Sequence, residues 1–301
     1  MAGVRSDLEI FIADQIKKYK GISLPLKAGM LERMVTKTLP VEYLHPNPAD
    51  EFCLPQIGPS FRIIGEYEKK IQRSLIYDDL DPFGEPIMVE KMSPDGYLIL
   101  NGHHRWAAAW RCGLKLVPVK IVNLTQDTDI RKVIENSKHD KRVTLDLDEV
   151  IFGCTDESLL AKKLPFPHRH FYKERLRQGI PASLRFLTLK GYDIWVYTSY
   201  YYSYDYLKHL FGLYHIHVDG VITGTKRKLE ANDENKRKRE EIQKLFRENY
   251  RETITFDNKG IVRSYTADKA FEQYDLNCEP ADWPREIMTI LEQTLKDNKD
   301  E

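Results

Sequence analysis

Apolar residues recur at helical spacing near the start of the chain, Leu8, Ile10, Phe11 and Ile16 among them, and predict a short helix from about Leu8 to Lys18. The pattern then changes to short apolar runs. A strand-like stretch, Thr38 to Leu44, ends in the turn signal His45-Pro46-Asn47-Pro48. Pro86 to Glu90 and Tyr97 to Leu100 flank Asp95-Gly96 and predict a hairpin. After it come Asn101-Gly102-His103-His104-Arg105, an alanine-rich helix from Trp106 to Arg111 stopped at Gly113, and a strand from Val117 to Val122.

The polar stretch Asn123 to Lys141 predicts a partly helical connector. Beyond it strands alternate with helices. Val143 to Leu145, Ile194 to Tyr197, Val218 to Ile222 and Thr253 to Phe256 are the strands, and one intervening helix spans Ser183 to Lys190. That alternation predicts a parallel sheet wrapped by helices. The charged run Lys226 to Lys244 reads as an exposed loop and helix. The expected division is a helical extension (1–36), a first α/β domain (37–123), a connector (124–141) and a second α/β domain (142–301).

Composition narrows the class. A length of 301 residues suits two domains, and 42% hydrophobic residues can build both cores. Forty-six Lys plus Arg balance 46 Asp plus Glu, which argues against a nucleic-acid partner. The four cysteines form no CxxC pair, so neither a thiolate zinc site nor a disulfide framework is expected. The first residues resemble neither a signal peptide nor a membrane span, and a cytoplasmic location is the expectation.

Val143-Thr144-Leu145-Asp146-Leu147-Asp148 carries the strongest chemistry: an apolar strand that delivers two aspartates, two residues apart, at its C-terminal end. In open α/β sheets ligands bind at that edge. One carboxylate can attack a phosphoryl group and the other can move protons, while the pair attracts Mg2+. Thr198 and Ser199 end a second strand with hydroxyls for phosphoryl oxygens. Asp257 ends a third with a carboxylate suited to the metal. Lys226, Lys228, Lys236 and Lys238 offer a cation. A lone Asp-x-Asp at a strand end can also be only a turn or a helix cap.

These four elements, in this order, resemble the haloacid-dehalogenase (HAD) superfamily of phosphatases from about Arg142 onward. The resemblance implies a Rossmann-like parallel sheet with at most a small cap, drawn from Phe152 to Gly179. It implies Asp146 as nucleophile, Asp148 as acid/base, Thr198 as phosphate-binding hydroxyl, and Lys236 as cation ahead of Lys238 and Lys226. It also implies Asp146, Asp148 and Asp257 around Mg2+, and a phosphorylated small molecule as substrate. His168 and His170 lie in the cap segment, where a surface loop is the plainer reading. Tyr200 to Tyr202 either frame the site or pack beneath the cap.

Gly102-His103-His104-Arg105, at a strand-to-helix turn, is the second constellation. Glycine permits close backbone approach, a helix N-terminus favours an anion, and arginine can grip a phosphate with two donors. A tight turn with helix-capping histidines explains the same residues. With Leu39-Pro40-Val41, Pro46-Asn47-Pro48 and Val117-Pro118-Val119, this segment resembles the ParB/sulfiredoxin-like superfamily over about Lys37 to Val122. The resemblance implies an α+β domain that binds a nucleotide through Gly102, His103, His104 and Arg105. His103 stands where sulfiredoxins carry cysteine, which argues against their sulfur chemistry. Asp50 and Glu51 are counterparts of the acidic residue that the free-serine kinase branch uses. A kinase of that kind and a nucleotide-sensing DNA- or protein-binding module are the alternatives to a phosphatase.

Overall fold

The computed structural model describes residues 6–19, 22–77, 81–154, 156–224, 233–257, 259–267 and 270–296. They form two compact units, the first within Met1–Leu124 and the second built on Thr125–Lys226 and Lys236–Glu301. Both are mixed α/β, and each sheet contains parallel strands.

The first unit holds helices α1 (Asp7–Tyr19), α2 (Met30–Met34), α3 (Phe61–Ile76) and α4 (His103–Arg111). Its strands are β1 (Leu24–Pro25), β2 (Lys37–Pro40), β3 (Leu44–His45), β4 (Ile87–Ser93), β5 (Tyr97–Asn101) and β6 (Leu116–Ile121). The sheet runs β2-β6-β4-β5-β3, with β1 paired to β4. The hairpin expected around Asp95-Gly96 is β4–β5, antiparallel. The single strand expected from Thr38 to Leu44 is instead β2, a 3-10 turn over Val41–Tyr43 and the short β3. Helix α3 was not expected. It buries Ile64 and Ile71 and pairs Arg62 with Glu66 at 2.6 Å on its exposed face. Trp106 to Ala109 of α4 are fully buried in the core with Ile87, Val89 and Val119.

His45 ends β3 at 4% exposure. Its Nδ1 lies 3.0 Å from Gln15 Oε1, and its Nε2 has no hydrogen-bond partner among the described residues. Burial pulls its pKa down to about 4, with Asp95 opposing and Lys18 assisting. The folded state therefore keeps His45 neutral at pH values where the unfolded chain protonates it. This contribution is complete above pH 6.5 and is lost as the pH falls toward 4, by roughly 3 kcal/mol in all. Urea titrations of the chain and of His45→Gln between pH 7.5 and 4.5 check it. The variant should show a shallower acid loss, and identical slopes would clear His45 of the effect.

The second unit follows with α5 (Asp127–Glu135), β7 (Lys141–Asp146), α6 (His168–Phe171), α7 (Ile180–Leu189), β8 (Tyr192–Tyr197) and α8 (Tyr204–Leu213). Then come β9 (Gly220–Ile222), α9 (Asp233–Asn249), β10 (Glu252–Asp257), β11 (Gly260–Tyr265), β12 (Phe271–Asp275) and α10 (Trp283–Lys296). The sheet order is β12-β11-β10-β7-β8-β9. The four strands expected from sequence are its parallel part, and β11 and β12 extend it as an antiparallel edge.

One face of this sheet packs on α7, α8 and α10 through Val143, Leu145, Ile254 and Phe256. On the other face α5 and α9 cover Trp195 with Ile130, Ile134, Ile242 and Phe246. The expected wrapping by helices is incomplete there. β7 and β10 turn Arg142, Thr144, Thr253 and Thr255 toward a cavity of about 780 Å³ instead. No helix among the described residues is long and apolar enough to cross a membrane.

Candidate functional site

The parallel pairing of β7 with β10 sets Leu145 opposite Phe256, so Asp146 and Asp257 end adjacent strands. Both line the cavity, with Glu149 beside them. Asp146 Oδ1 accepts from the backbone N–H groups of Asp148 (2.8 Å) and Glu149 (3.1 Å), which begin a π-helical turn over Leu147–Ile151. The other oxygen is left for a ligand.

β8 brings the hydroxyl groups from fifty residues away. Thr198, fully buried, donates from Oγ1 to Asp148 Oδ1 at 2.7 Å. Ser199 donates to Asp148 Oδ2 from both its backbone N–H and its Oγ, each at 2.7 Å. Three donors at the end of β8 thus already hold a bidentate oxyanion. Both Asp148 oxygens thus accept from Thr198 and Ser199 in this conformation. Among the described residues no three His, Cys, Asp or Glu side chains cluster as a metal site.

Asp146 and Asp257 remain, an all-oxygen pair. Such a pair fits Mg2+, which binds through one or two carboxylates and takes its other ligands from water and phosphate. It does not make a closed zinc site.

The cation expected at Lys236 or Lys238 falls on α9, but those side chains, like Lys226 and Lys228, lie outside the described residues. The cap segment contains α6 and a 3-10 turn at Glu157–Leu159, tied by a bridge between Leu160 and Arg177. His170 is exposed and meets the Phe166 ring, and His168 is half-buried. Of the three tyrosines, Tyr201 is buried and Tyr200 is exposed. Tyr202 meets the Phe152 ring edge-on and stacks on Tyr206, so it packs under the cap segment.

In the first unit, Gly102 N-caps α4 in the left-handed region, at φ 100°. A side chain there would be strained and would meet the Arg105 guanidinium. The helix has no side-chain cap, and its N-terminus opens on a cavity of about 390 Å³ lined by Asp50, Phe52, Ser60, Tyr67 and Gly102 to Arg105. The histidines hold the rim. His103 Nε2 accepts from Asn47 N–H and His104 Nε2 from Ser60 N–H, both at 3.1 Å. His103 Nδ1 lies 3.5 Å from Asp50 Oδ1. Burial lowers the His104 pKa, which suits the neutral acceptor.

The Arg105 guanidinium lies against the Gly102 turn. Its Nη1 donates to the carbonyl groups of Glu85 and Pro86, and the side chain is 6% exposed beneath the Gly102 turn. Phe52, Ser60 and Tyr67 were missed from sequence. An amphipathic reading of Phe61–Ile76 was the available signal for Tyr67.

A family model, the ParB N-terminal domain, matches residues 81–137. Among solved structures the chain is similar to the C-terminally truncated chromosome-partitioning protein ParB from Caulobacter crescentus, complexed with CTP-gamma-S. Identity is 25%, 35% of this chain and 56% of that chain are covered, and the TM-score is 0.24. The chain therefore spans little more than half of that protein. No curated protein matches. The match to the ParB N-terminal domain overturns the expectation that nucleic acid is an unlikely partner. Net charge summed over two units does not measure the charge of any one surface.

Proposed function

We propose that the second unit is a HAD-like, Mg2+-dependent phosphotransferase whose ordinary reaction is hydrolysis of a phosphate ester. One observation carries this reading. Three donors at the end of β8 hold a bidentate oxyanion beside two carboxylates that end β7 and β10. A phosphoryl group presents the same kind of acceptor as the Asp148 carboxylate now held there. When Asp148 turns away, Thr198 Oγ1 and the Ser199 donors are released to phosphoryl oxygens.

Asp146, fixed by two backbone N–H groups, attacks phosphorus through its other oxygen. Once it leaves those donors Asp148 takes up a proton from solvent; the bond to the ester oxygen then breaks, and Asp148 gives that oxygen its proton. Water then gives a proton to Asp148 and attacks phosphorus, which frees phosphate and Asp146. Mg2+ held by Asp146 and Asp257 would neutralise charge on the phosphoryl oxygens. Phosphate release from p-nitrophenyl phosphate, assayed with Mg2+ and with EDTA, tests the reading. Release only with Mg2+ is expected, and no release under either condition would reject it.

A second reading concerns the first unit, which we take as a ParB/sulfiredoxin-like, nucleotide-binding module. Its support is the family match together with the uncapped α4 N-terminus above a cavity. The anion would be held by backbone N–H groups of α4 rather than by Arg105. Calorimetric titration with CTP, ATP and ADP checks this. Gly102→Ala should weaken binding and cost the unit roughly 1–3 kcal/mol through its left-handed backbone. Heat from none of the three nucleotides would leave the turn as a structural feature. Nucleotide consumption dependent on free serine would turn the reading toward a kinase.

A further inference from the structure

Below its two terminal carboxylates, the polar face of β7 and β10 has no role in the reaction above. Three rungs cross it. Arg142 lies opposite Thr253 and Thr144 opposite Thr255, and Asp146 and Asp257 follow at the strand ends. Strands of a sheet covered on both faces are apolar throughout, whereas these two alternate. All six residues line the one 780 Å³ cavity.

The cavity carries charges of both signs. Asp146, Glu149 and Asp257 stand at one end, and Arg142 and Arg247 lie among its other lining residues. Thr144 and Thr255 hydroxyls, 3.0 Å apart, lie between. These small side chains leave the width that the cavity shows.

Arg142 is the unusual member. Its guanidinium lies 4.1 Å from the Phe246 ring centroid and 5.6 Å from that of Tyr250, both buried rings. Nε donates to Thr253 Oγ1 at 3.0 Å and Nη1 to Tyr197 Oη at 3.5 Å. Its Nη2 has no partner, and no carboxylate is within ion-pair distance of it, among the described residues. Burial also lowers its pKa, with only two tyrosines opposing. A half-buried arginine is ordinarily paired. This one is fixed by its neighbours with donor capacity left over, in a cavity shared with the nucleophile.

We propose that Arg142 binds a second anionic group of the substrate, so that the site takes an elongated small-molecule phosphate ester rather than a simple monoester. Four residue steps of extended strand separate Arg142 from Asp146, about 13 Å between their Cα atoms. The side chain spans part of that gap, and a substrate carrying its two anions at the ends of a six-carbon chain covers the remainder. This inference rests on the phosphotransferase reading for the identity of the first group, but the anion site at Arg142 can be tested apart from catalysis.

The probes are hexane-1,6-diyl bisphosphate and hexyl phosphate. Each is titrated calorimetrically with Mg2+ into full-length Asp146→Asn, which does not consume them, and into the same chain with Arg142→Gln or Arg142→Lys. The bisphosphate should bind at least about tenfold more tightly than the monoester, the strength of one charge-assisted contact. Arg142→Gln should erase that advantage and Arg142→Lys retain part of it. Equal affinities, no binding of either probe, or an advantage that survives Arg142→Gln overturns the proposal. If the Gln variant does not fold, the comparison of the two probes on the Arg142 chain decides alone. Phosphate release from hexyl phosphate by the unsubstituted chain separates the two readings. Release without a preference for the bisphosphate sinks only the inference. Arg142-dependent binding without release from either ester sinks only the phosphotransferase.

Discussion

Asp146→Asn is expected to lower phosphate release from p-nitrophenyl phosphate by a factor of about 10³ or more, because groups that act as a unit fail together when one is lost. The substitution is nearly isosteric. Asparagine keeps a side-chain oxygen to accept from the Asp148 and Glu149 N–H groups, so the turn that begins at Leu147 should persist. What it loses is the anionic oxygen that attacks phosphorus and a ligand for the cation. The melting temperature should therefore stay near that of the parent while the rate collapses. A variant that retains a tenth of the parental rate would show that Asp146 is not the nucleophile, and the reaction would have to be assigned elsewhere. Asp257→Asn provides a graded comparison. It leaves the nucleophile in place and should raise the Mg2+ concentration needed for half-maximal release.

Arg263→Leu should destabilise the second unit by roughly 3–5 kcal/mol, the cost of leaving one half of a buried ion pair behind. Arg263 and Glu252 are 2% and 4% exposed, with Nε 2.7 Å from Oε1. Tyr192 donates to the same carboxylate oxygen, and Arg263 Nη1 donates to the Thr294 carbonyl at 2.8 Å, which ties β11 to α10. Lys141, 3.6 Å from Oε2, cannot replace a buried, directly bonded guanidinium. The double variant Arg263→Leu/Glu252→Gln should recover part of the loss, since the orphaned charge is then gone. Urea unfolding of the two single variants and the double variant measures the coupling. Additive losses would mean that the pair contributes through packing alone.

The catalytic candidates were legible because each closes a short local pattern. Asp146, Thr198 and Asp257 follow apolar runs, and a run of that length predicts a strand whose last residue reaches the sheet edge. Tertiary pairing then set all three at the ends of neighbouring strands, with β7 between β10 and β8. The face of the sheet was legible too. Lys141 to Asp146 and Glu252 to Asp257 alternate polar with apolar, which is the signature of a strand covered on one side only. The apolar residues of α3 carry helical spacing as well, whereas β11 and β12 lie beyond Asp257, the last strand-end carboxylate.

Local sequence thus determined the elements that carry the chemistry, their order and the left-handed turn at Gly102, because backbone preference and side-chain periodicity act within a few residues. Partners brought together across the fold were decided only by tertiary structure. Asp148 meets Thr198 and Ser199, fifty residues away. Arg105 turns its Nη1 to the Glu85 and Pro86 carbonyls, twenty and nineteen residues away. Arg142 has neighbours that leave it a donor and no carboxylate. A side chain's type limits what it can do, but the groups that surround it after folding set its charge, its reach and its partner, and those groups come from strands and helices that no local pattern connects.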